Sequence, residues 1–214
     1  VTPPDGCPSA ELPLLAVDLE TTGLSPHRDR VLAIGWVPVN GGRIELAGAR
    51  RVLVGHDDPG PAVAIHGLTH DDLVQGLPLH QALRLLDDAL AGRALLAHHA
   101  PMEVGFLRAA YRRLGEPLPA VLRSGPVVCT LRLERRLLHR AHSELPAGAL
   151  RLWRARARHG LPPVRSHDAL GDALAAAELY LAQLAELEAD GRAVTLRDLR
   201  LREGWWRRLL PGPR

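Results

Sequence analysis
The chain has 214 residues with 24 acidic and 27 basic side chains and a formal charge of +3 at pH 7, and every basic side chain is arginine. Hydrophobic residues make up 46%, yet no apolar run approaches the roughly 20 residues that span a bilayer, so a transmembrane helix is excluded and one complete core is expected. Two cysteines, Cys7 and Cys129, are too few for a disulfide framework and lack zinc-ligand spacing, so both are expected reduced.

In chain order, residues 1–11 read as a flexible lead. Val1-Thr2-Pro3-Pro4-Asp5-Gly6 lacks the basic and apolar regions of a secretory signal, which predicts a cytoplasmic protein, and a start at Val1 suggests a trimmed or lost initiator methionine. The apolar run 12–17 predicts a buried strand. Runs 30–39 and 43–54 are β-rich and separated by Asn40-Gly41-Gly42, a hairpin signal that predicts three consecutive antiparallel strands. Residues 55–76, rich in Gly, Pro, His and Asp, read as a long irregular or functional loop. Apolar spacing then predicts a helix over 78–92, a short strand over 94–97, and a helix over 101–114 opened by Pro101.

A short strand over 125–129 and helices over 131–141 and 150–159 follow. The final helix, 168–189, keeps a three-to-four residue beat through Leu170, Leu174, Ala177, Leu181, Leu184 and Leu187. A meander followed by alternating strands and helices predicts an α/β domain around a mixed central sheet over 12–189. Residues 190–214 differ in composition and read as a tail or arm. Its Gly204-Trp205-Trp206-Arg207-Arg208-Leu209-Leu210 fits an anchor for a partner or membrane surface, or a segment docked on its own domain.

Chemistry concentrates at Asp18-Leu19-Glu20-Thr21-Thr22-Gly23. Side chains at i and i+2 of a strand point the same way, so Asp18 and Glu20 converge while Leu19 faces the opposite side. Acids at the end of a buried strand need solvation or bound cations, and Gly23 is expected to permit a turn that a Cβ would resist. Alone, the pair also fits an acid-capped sheet edge. Two further segments add to it. In Leu96-Ala97-His98-His99-Ala100-Pro101-Met102-Glu103, Glu103 falls in the first turn of a helix, where the helix dipole also tolerates an acid without metal. In Ser166-His167-Asp168-Ala169-Leu170-Gly171-Asp172, Asp168 suits the N-cap and leaves Asp172 without a capping task. His167 and Asp172 would sit about 140° apart on a continuous helix, so His167 must project from the loop or cap to share a site with Asp172.

These segments resemble the DnaQ-like 3′ to 5′ exonucleases, the DEDDh family named for four acids and one histidine. The resemblance spans 12–189, is closest at Val17 to Leu24 and at His167 to Asp172, and includes Ile65-His66-Gly67-Leu68-Thr69, similar to a loop that proofreading members hold near the terminal nucleotide. It implies a ribonuclease H-like α/β fold, a mixed central sheet flanked by helices. It implies two divalent ions, Mg²⁺ or Mn²⁺, held by Asp18, Glu20, Glu103 and Asp172, with His167 taking the proton from the attacking water. Thr21, Thr22, Gly23, Leu24, His66, Gly67, Leu68 and His99 are then expected to bind substrate, with Leu24 as a wedge against the terminal base. The product would be a nucleoside 5′-monophosphate and the substrate a single-stranded or frayed 3′ end, with DNA favoured over RNA and a polymerase as a possible partner. An exoribonuclease of the same superfamily and a non-catalytic nucleic-acid or partner-binding module are the alternatives. The middle motif departs from the family: His99 stands for Asn, and Met102-Glu103 for an aromatic and Asp, which lengthens the acid's arm by about 1.5 Å.

Arg132, Arg135, Arg136 and Arg140, and Arg151, Arg154, Arg156 and Arg158, recur at helical spacing and fit either a solvated helix face or a nucleic-acid track. Aromatics at 3% leave Phe106, Tyr111 and four tryptophans as the candidates for base stacking.

Overall fold
The computed structural model describes residues 2–140, 143–164 and 167–202. Among them, six strands form one mixed sheet: β1 (Pro13–Thr21), β2 (Val31–Asn40), β3 (Arg43–Ile44), β4 (Arg50–Leu53), β5 (Ala94–Ala97) and β6 (Val127–Cys129). β2 runs antiparallel to β1 and to both β3 and β4, whereas β1, β5 and β6 are mutually parallel.

The helices are α1 (Val63–His66), α2 (His70–Val74), α3 (Leu79–Leu90), α4 (Ala100–Leu114), α5 (Ala120–Ser124), α6 (Thr130–Leu138), α7 (Leu152–Arg158), α8 (Ala169–Glu188) and α9 (Leu196–Leu199). Alternation along β1 divides the core. Leu15 and Val17 pack with Leu83, Leu86, Val104 and Phe106 of α3 and α4, while Leu14 and Ala16 pack with Leu133 of α6 and Ala177, Tyr180 and Leu184 of α8. Asp18 and Glu20 continue the second parity and so leave the strand on the α8 side.

The expected third strand, 43–54, is interrupted by a 3-10 turn at Leu46–Gly48. Pro38 of β2 explains the break. Its carbonyl accepts from Glu45 N at 2.9 Å, so its nitrogen faces the same neighbour and has no hydrogen to donate. The 55–76 loop contains α1 and α2, the latter closed by a capping box between Thr69 and Asp72.

The lead is not free. Pro8 bridges to Thr195, Ser9 N donates to Val194 O at 2.9 Å, and Ser9 Oγ donates to Glu188 at 2.5 Å. Residues 190–202 are likewise docked: Leu201 N donates to Val127 O at 2.8 Å, covering the outer edge of β6 that would otherwise offer unpaired backbone groups. The tryptophan-arginine stretch 204–210 lies outside the described residues. Cys7 and Cys129 are free thiols, and no described helix is long and apolar enough to cross a membrane.

The stripe of α8 that faces the sheet follows the expected beat only in part. Ala177, Leu184 and Leu187 are buried in the core, whereas Leu170, Leu174 and Leu181 are only partly buried, and Ala169, Ala173, Ala176 and Tyr180 complete the interface. Small residues are needed because the helix start sits almost on the backbone of β2. A Cβ placed on Gly35 would lie 2.1 Å from the Ala169 carbonyl carbon and 2.4 Å from Leu170 N. Gly35 is also the direct cross-strand partner of Asp18, so this contact sets how close the first turn of α8 comes to the acidic end of β1. Gly35→Ala is therefore expected to push α8 outward and cost about 1–3 kcal/mol, read as a lower urea midpoint with an unchanged slope. An unchanged midpoint would show that the helix start yields freely.

Candidate active site
β1 delivers Asp18 and Glu20, and the first turn of α8 delivers Asp172. One carboxylate oxygen from each lies within 4.8 Å of the other two. Glu103 arrives from the opposite layer in the first turn of α4. It is not a member of that mutual set among the described residues, but its side chain is buried and its charge acts directly on Asp18.

Glu20 and Asp172 are also buried, and Glu20 Oε1 has no hydrogen-bond partner. Anions so placed repel one another, which the titration directions express. Burial, then the charges of Glu103 and Asp172, hold the Asp18 carboxyl well above the ordinary range. Burial, then Asp172 and Asp168, push Glu20 up to about 7, opposed by Arg51. Burial and then Glu20 push Glu103 up to about 8. Burial raises Asp172 as well, against the backbone N–H of His167, which donates to Asp172 Oδ2 at 2.7 Å. Hard oxygen donors, an orphaned buried carboxylate oxygen and repulsion without a compensating cation fit divalent metal ions.

His167 reaches this cluster as the loop argument required. It precedes α8 in a left-handed conformation with φ 67°, an uncommon state for a residue with a Cβ, while Asp168 caps the helix by accepting from Gly171 N at 3.0 Å. His66 stands close by, since burial and then the charge of His167 lower its pKa. Its Nδ1 accepts from Leu68 N at 3.0 Å, and its buried Nε2 has no partner among the described residues.

Two clefts meet at the acids. The first, about 480 Å³, is lined by Asp18, Glu20, Thr21, Thr22, Gly23, Leu24, His66, Glu103, His167 and Asp172, together with the apolar side chains of Ile65, Met102 and Phe106. The second, about 780 Å³, shares Asp18, Glu103, His167 and Asp172 and extends past His98 and His99 toward α6 and α7. Leu24 is 81% exposed at the rim of the first.

Three expected substrate contacts lie outside the first cleft. Gly67 ends α1 at φ 69°, and Leu68 turns into a core cluster with Leu32, Ala33 and Leu73 because the turn directs it inward. His99 lines the second cleft and, beside Leu24, a smaller cavity of about 240 Å³, so it stays next to the acids. Its neighbour His98 is structural: its ring joins the Thr130 hydroxyl at 2.8 Å to the Leu150 carbonyl at 2.9 Å, and burial lowers its pKa to about 4.

Gly23 lies in the expected turn, a bend over 22–24, and its missing Cβ also leaves room for Asp29. Gly23 is outside the left-handed region, but a Cβ there would lie 2.7 Å from the Asp29 carboxylate. That carboxylate accepts from Ser25 N at 2.7 Å and from the Thr22 hydroxyl at 3.3 Å, and so braces the 22–25 wall of the first cleft. Sequence reading missed Asp29 and Gly35. An isolated glycine within an apolar strand run was the available sign of the latter.

Carboxylates whose pKa is raised by folding keep their protons in the native state after the unfolded chain has lost them. Metal-free protein should therefore lose stability as pH rises from the ordinary carboxylate range near 4.5 through about 7 to 8, where Glu20 and Glu103 ionise. Thermal unfolding in EDTA at pH 5 and pH 8 should show a lower midpoint at pH 8, and Mn²⁺ should restore it. A midpoint independent of both pH and Mn²⁺ would contradict the repulsive cluster.

The exonuclease family model, RNase_T, matches residues 15–180. A Mycobacterium tuberculosis protein provisionally named a bifunctional exonuclease/endonuclease is 32% identical over 199 residues, covering 89% of this chain and 29% of the relative. A DNA polymerase III subunit epsilon-like protein of Rhodobacter capsulatus is 29% identical over 187 residues, covering 86% of this chain and 25% of the relative. The chain thus spans less than a third of either curated relative. The solved nuclease domain of 3′hExo, a DEDDh family member bound to rAMP, superposes with a TM-score of 0.72 at 15% identity, over 92% of this chain and 100% of that one. This likeness bears out the expected ribonuclease H-like fold. With the family match extending from β1 into α8, across the elements that bring the acids together, the chain belongs to the RNase_T exonuclease family.

Proposed function
We propose that residues 12–189 form a metal-dependent 3′ to 5′ exonuclease domain that releases nucleoside 5′-monophosphates from single-stranded or frayed DNA ends. The observation that carries this reading is the position of the acids at the junction of two clefts of unlike character. The first is lined by apolar groups, acids, two threonines and two histidines, with no arginine among the described residues, which suits one terminal nucleoside rather than a passing phosphodiester chain. A site that seats one end and cuts beside it acts as an exonuclease.

Asp18, Glu20 and Asp172 would hold two Mg²⁺ or Mn²⁺ ions, with Glu103 supporting the set from α4. Ions bound there supply charge neutralisation at the scissile phosphate and at the leaving oxygen. Thr21 to Gly23 form the wall that receives the terminal sugar, and Leu24 wedges against the terminal base. His167 accepts the proton of the attacking water from its loop before α8, and the N–H···Asp172 bond fixes that loop. The unpartnered Nε2 of His66 is available to the terminal nucleotide. Unpaired ends are favoured because a paired base must first leave its stack.

DNA is preferred on the likeness to the epsilon-like relative, and a polymerase is the corresponding partner. A cytoplasmic setting agrees with this reading. RNA 3′ ends form the second reading, favoured by the rAMP-bound neighbour of the same fold. Matched single-stranded DNA, mismatched duplex and RNA, each 5′-labelled, separate these by the rate of mononucleotide release in Mg²⁺ or Mn²⁺. Asp18→Ala should abolish release, and His167→Ala should lower it by about 10²- to 10⁴-fold. Full activity of Asp18→Ala would refute the site. Tight, Asp18-dependent Mn²⁺ binding without turnover would instead indicate a binding module.

A further inference from the structure
The second cleft differs from the first in charge. Beyond the acids that both share, its lining carries Arg135 and Arg151 and, among the described residues, no further carboxylate. It also carries Trp153, a large aromatic side chain that remains 52% exposed. The Arg154 guanidinium lies 4.9 Å from the centre of the Trp153 ring and donates to Ala147 O at 3.1 Å, so the ring is braced from one side.

The helix beneath it is held rigidly. Glu134 of α6, buried in the core, accepts from Arg158 Nε at 2.8 Å, from His159 Nε2 at 2.9 Å and from Gln183 Nε2 of α8 at 2.8 Å. Arg156, fully buried, donates to Ala175 O at 2.8 Å and to Pro162 O at 3.0 Å and pairs with Glu178 at 2.7 Å. Burying an arginine and a glutamate demands extensive pairing, and of the Arg156 nitrogens Nε alone lacks a partner among the described residues; these bonds tie the α7 backbone that carries Trp153 to α6 and α8.

We propose that this cleft is the channel for the single strand on the 5′ side of the scissile phosphate, with Trp153 stacking a base and Arg135 and Arg151 receiving phosphates. The inference rests on the exonuclease reading and extends it. An aromatic face accepts every base, and arginines beside it follow the backbone, so the channel takes single-stranded nucleic acid without sequence preference. The first cleft, with no arginine among its described lining residues, then takes the terminal nucleoside, which sets the direction of the strand across the acids.

Fluorescence anisotropy of a fluorescein-labelled thymidylate dodecamer in EDTA, over a series of NaCl concentrations, measures this channel without turnover. Trp153→Ala should weaken binding about tenfold, and Trp153→Phe should retain most of the affinity. Arg135→Ala and Arg151→Ala should each reduce the slope of log affinity against log salt by about 0.7. Unfolding midpoints equal to wild type confirm that each variant is folded, and Arg151→Glu supplies a charge-reversed check expected to bind more weakly still. Wild-type affinity in Trp153→Ala, or an unchanged salt slope in both arginine variants, overturns the channel. If wild type binds in a Trp153-dependent way but releases no mononucleotide, the channel stands and the exonuclease reading falls. Mononucleotide release with Trp153-independent binding does the reverse.

Discussion
The seating of α8 against the backbone of β2 is the constraint on which the rest depends. Without a Cβ at Gly35, the Ala169 carbonyl and Leu170 nitrogen occupy space that any other residue would fill. Gly35 lies opposite Asp18, so the same contact that closes the core also brings Asp172 within carboxylate range of Asp18 and Glu20. Packing and chemistry are coupled at one point. The alanines in the first turns of α8 belong to that arrangement, because leucines at Ala169, Ala173 and Ala176 would hold the helix start too far away.

Such closeness has an electrostatic cost. Four carboxylates converge in surroundings that solvate them poorly, and each is pushed toward its protonated form. A core would not retain this group for stability alone. The scaffold supports it by indirect means: Asp29 braces the wall after β1, His98 ties the end of β5 to the first residue of α6 and to the segment before α7, and Glu134 fixes α7 to α6 and α8. None of these side chains belongs to the acid cluster, yet each determines where a wall of one cleft stands. The result is two clefts that share the acids, one walled by apolar side chains and one that carries Arg135 and Arg151.

Where local periodicity governs structure, the sequence could be read directly. The i, i+2 spacing of Asp18 and Glu20, the helices after β5 and β6, and Asp168 as the cap of α8 follow from rules that span a few residues. Departures arose where a distant partner intervenes. Pro38 interrupts the third strand because a missing donor matters only to the strand beside it. The lead at 2–11 looks unstructured alone but pairs with 194–196, almost the full chain length away. Gly23 sits in a bend that local sequence signals, but the Asp29 carboxylate that fills the place of its Cβ comes from six residues further on.

By itself the sequence determined the chemical composition of the site: two acids on one strand face, a third acid one turn inside a capped helix, a histidine just before that cap, and the family to which the pattern belongs. Those relations are local and survive in one dimension. Tertiary structure alone decided that Glu103 approaches from the opposite layer, that His66 rather than Leu68 faces the first cleft, and that His99, Arg135 and Trp153 share the second. These depend on how closely helices can approach the sheet and on which charges then face one another. Such distances are set by side chains and missing Cβ atoms far apart in the chain, and no periodicity encodes them.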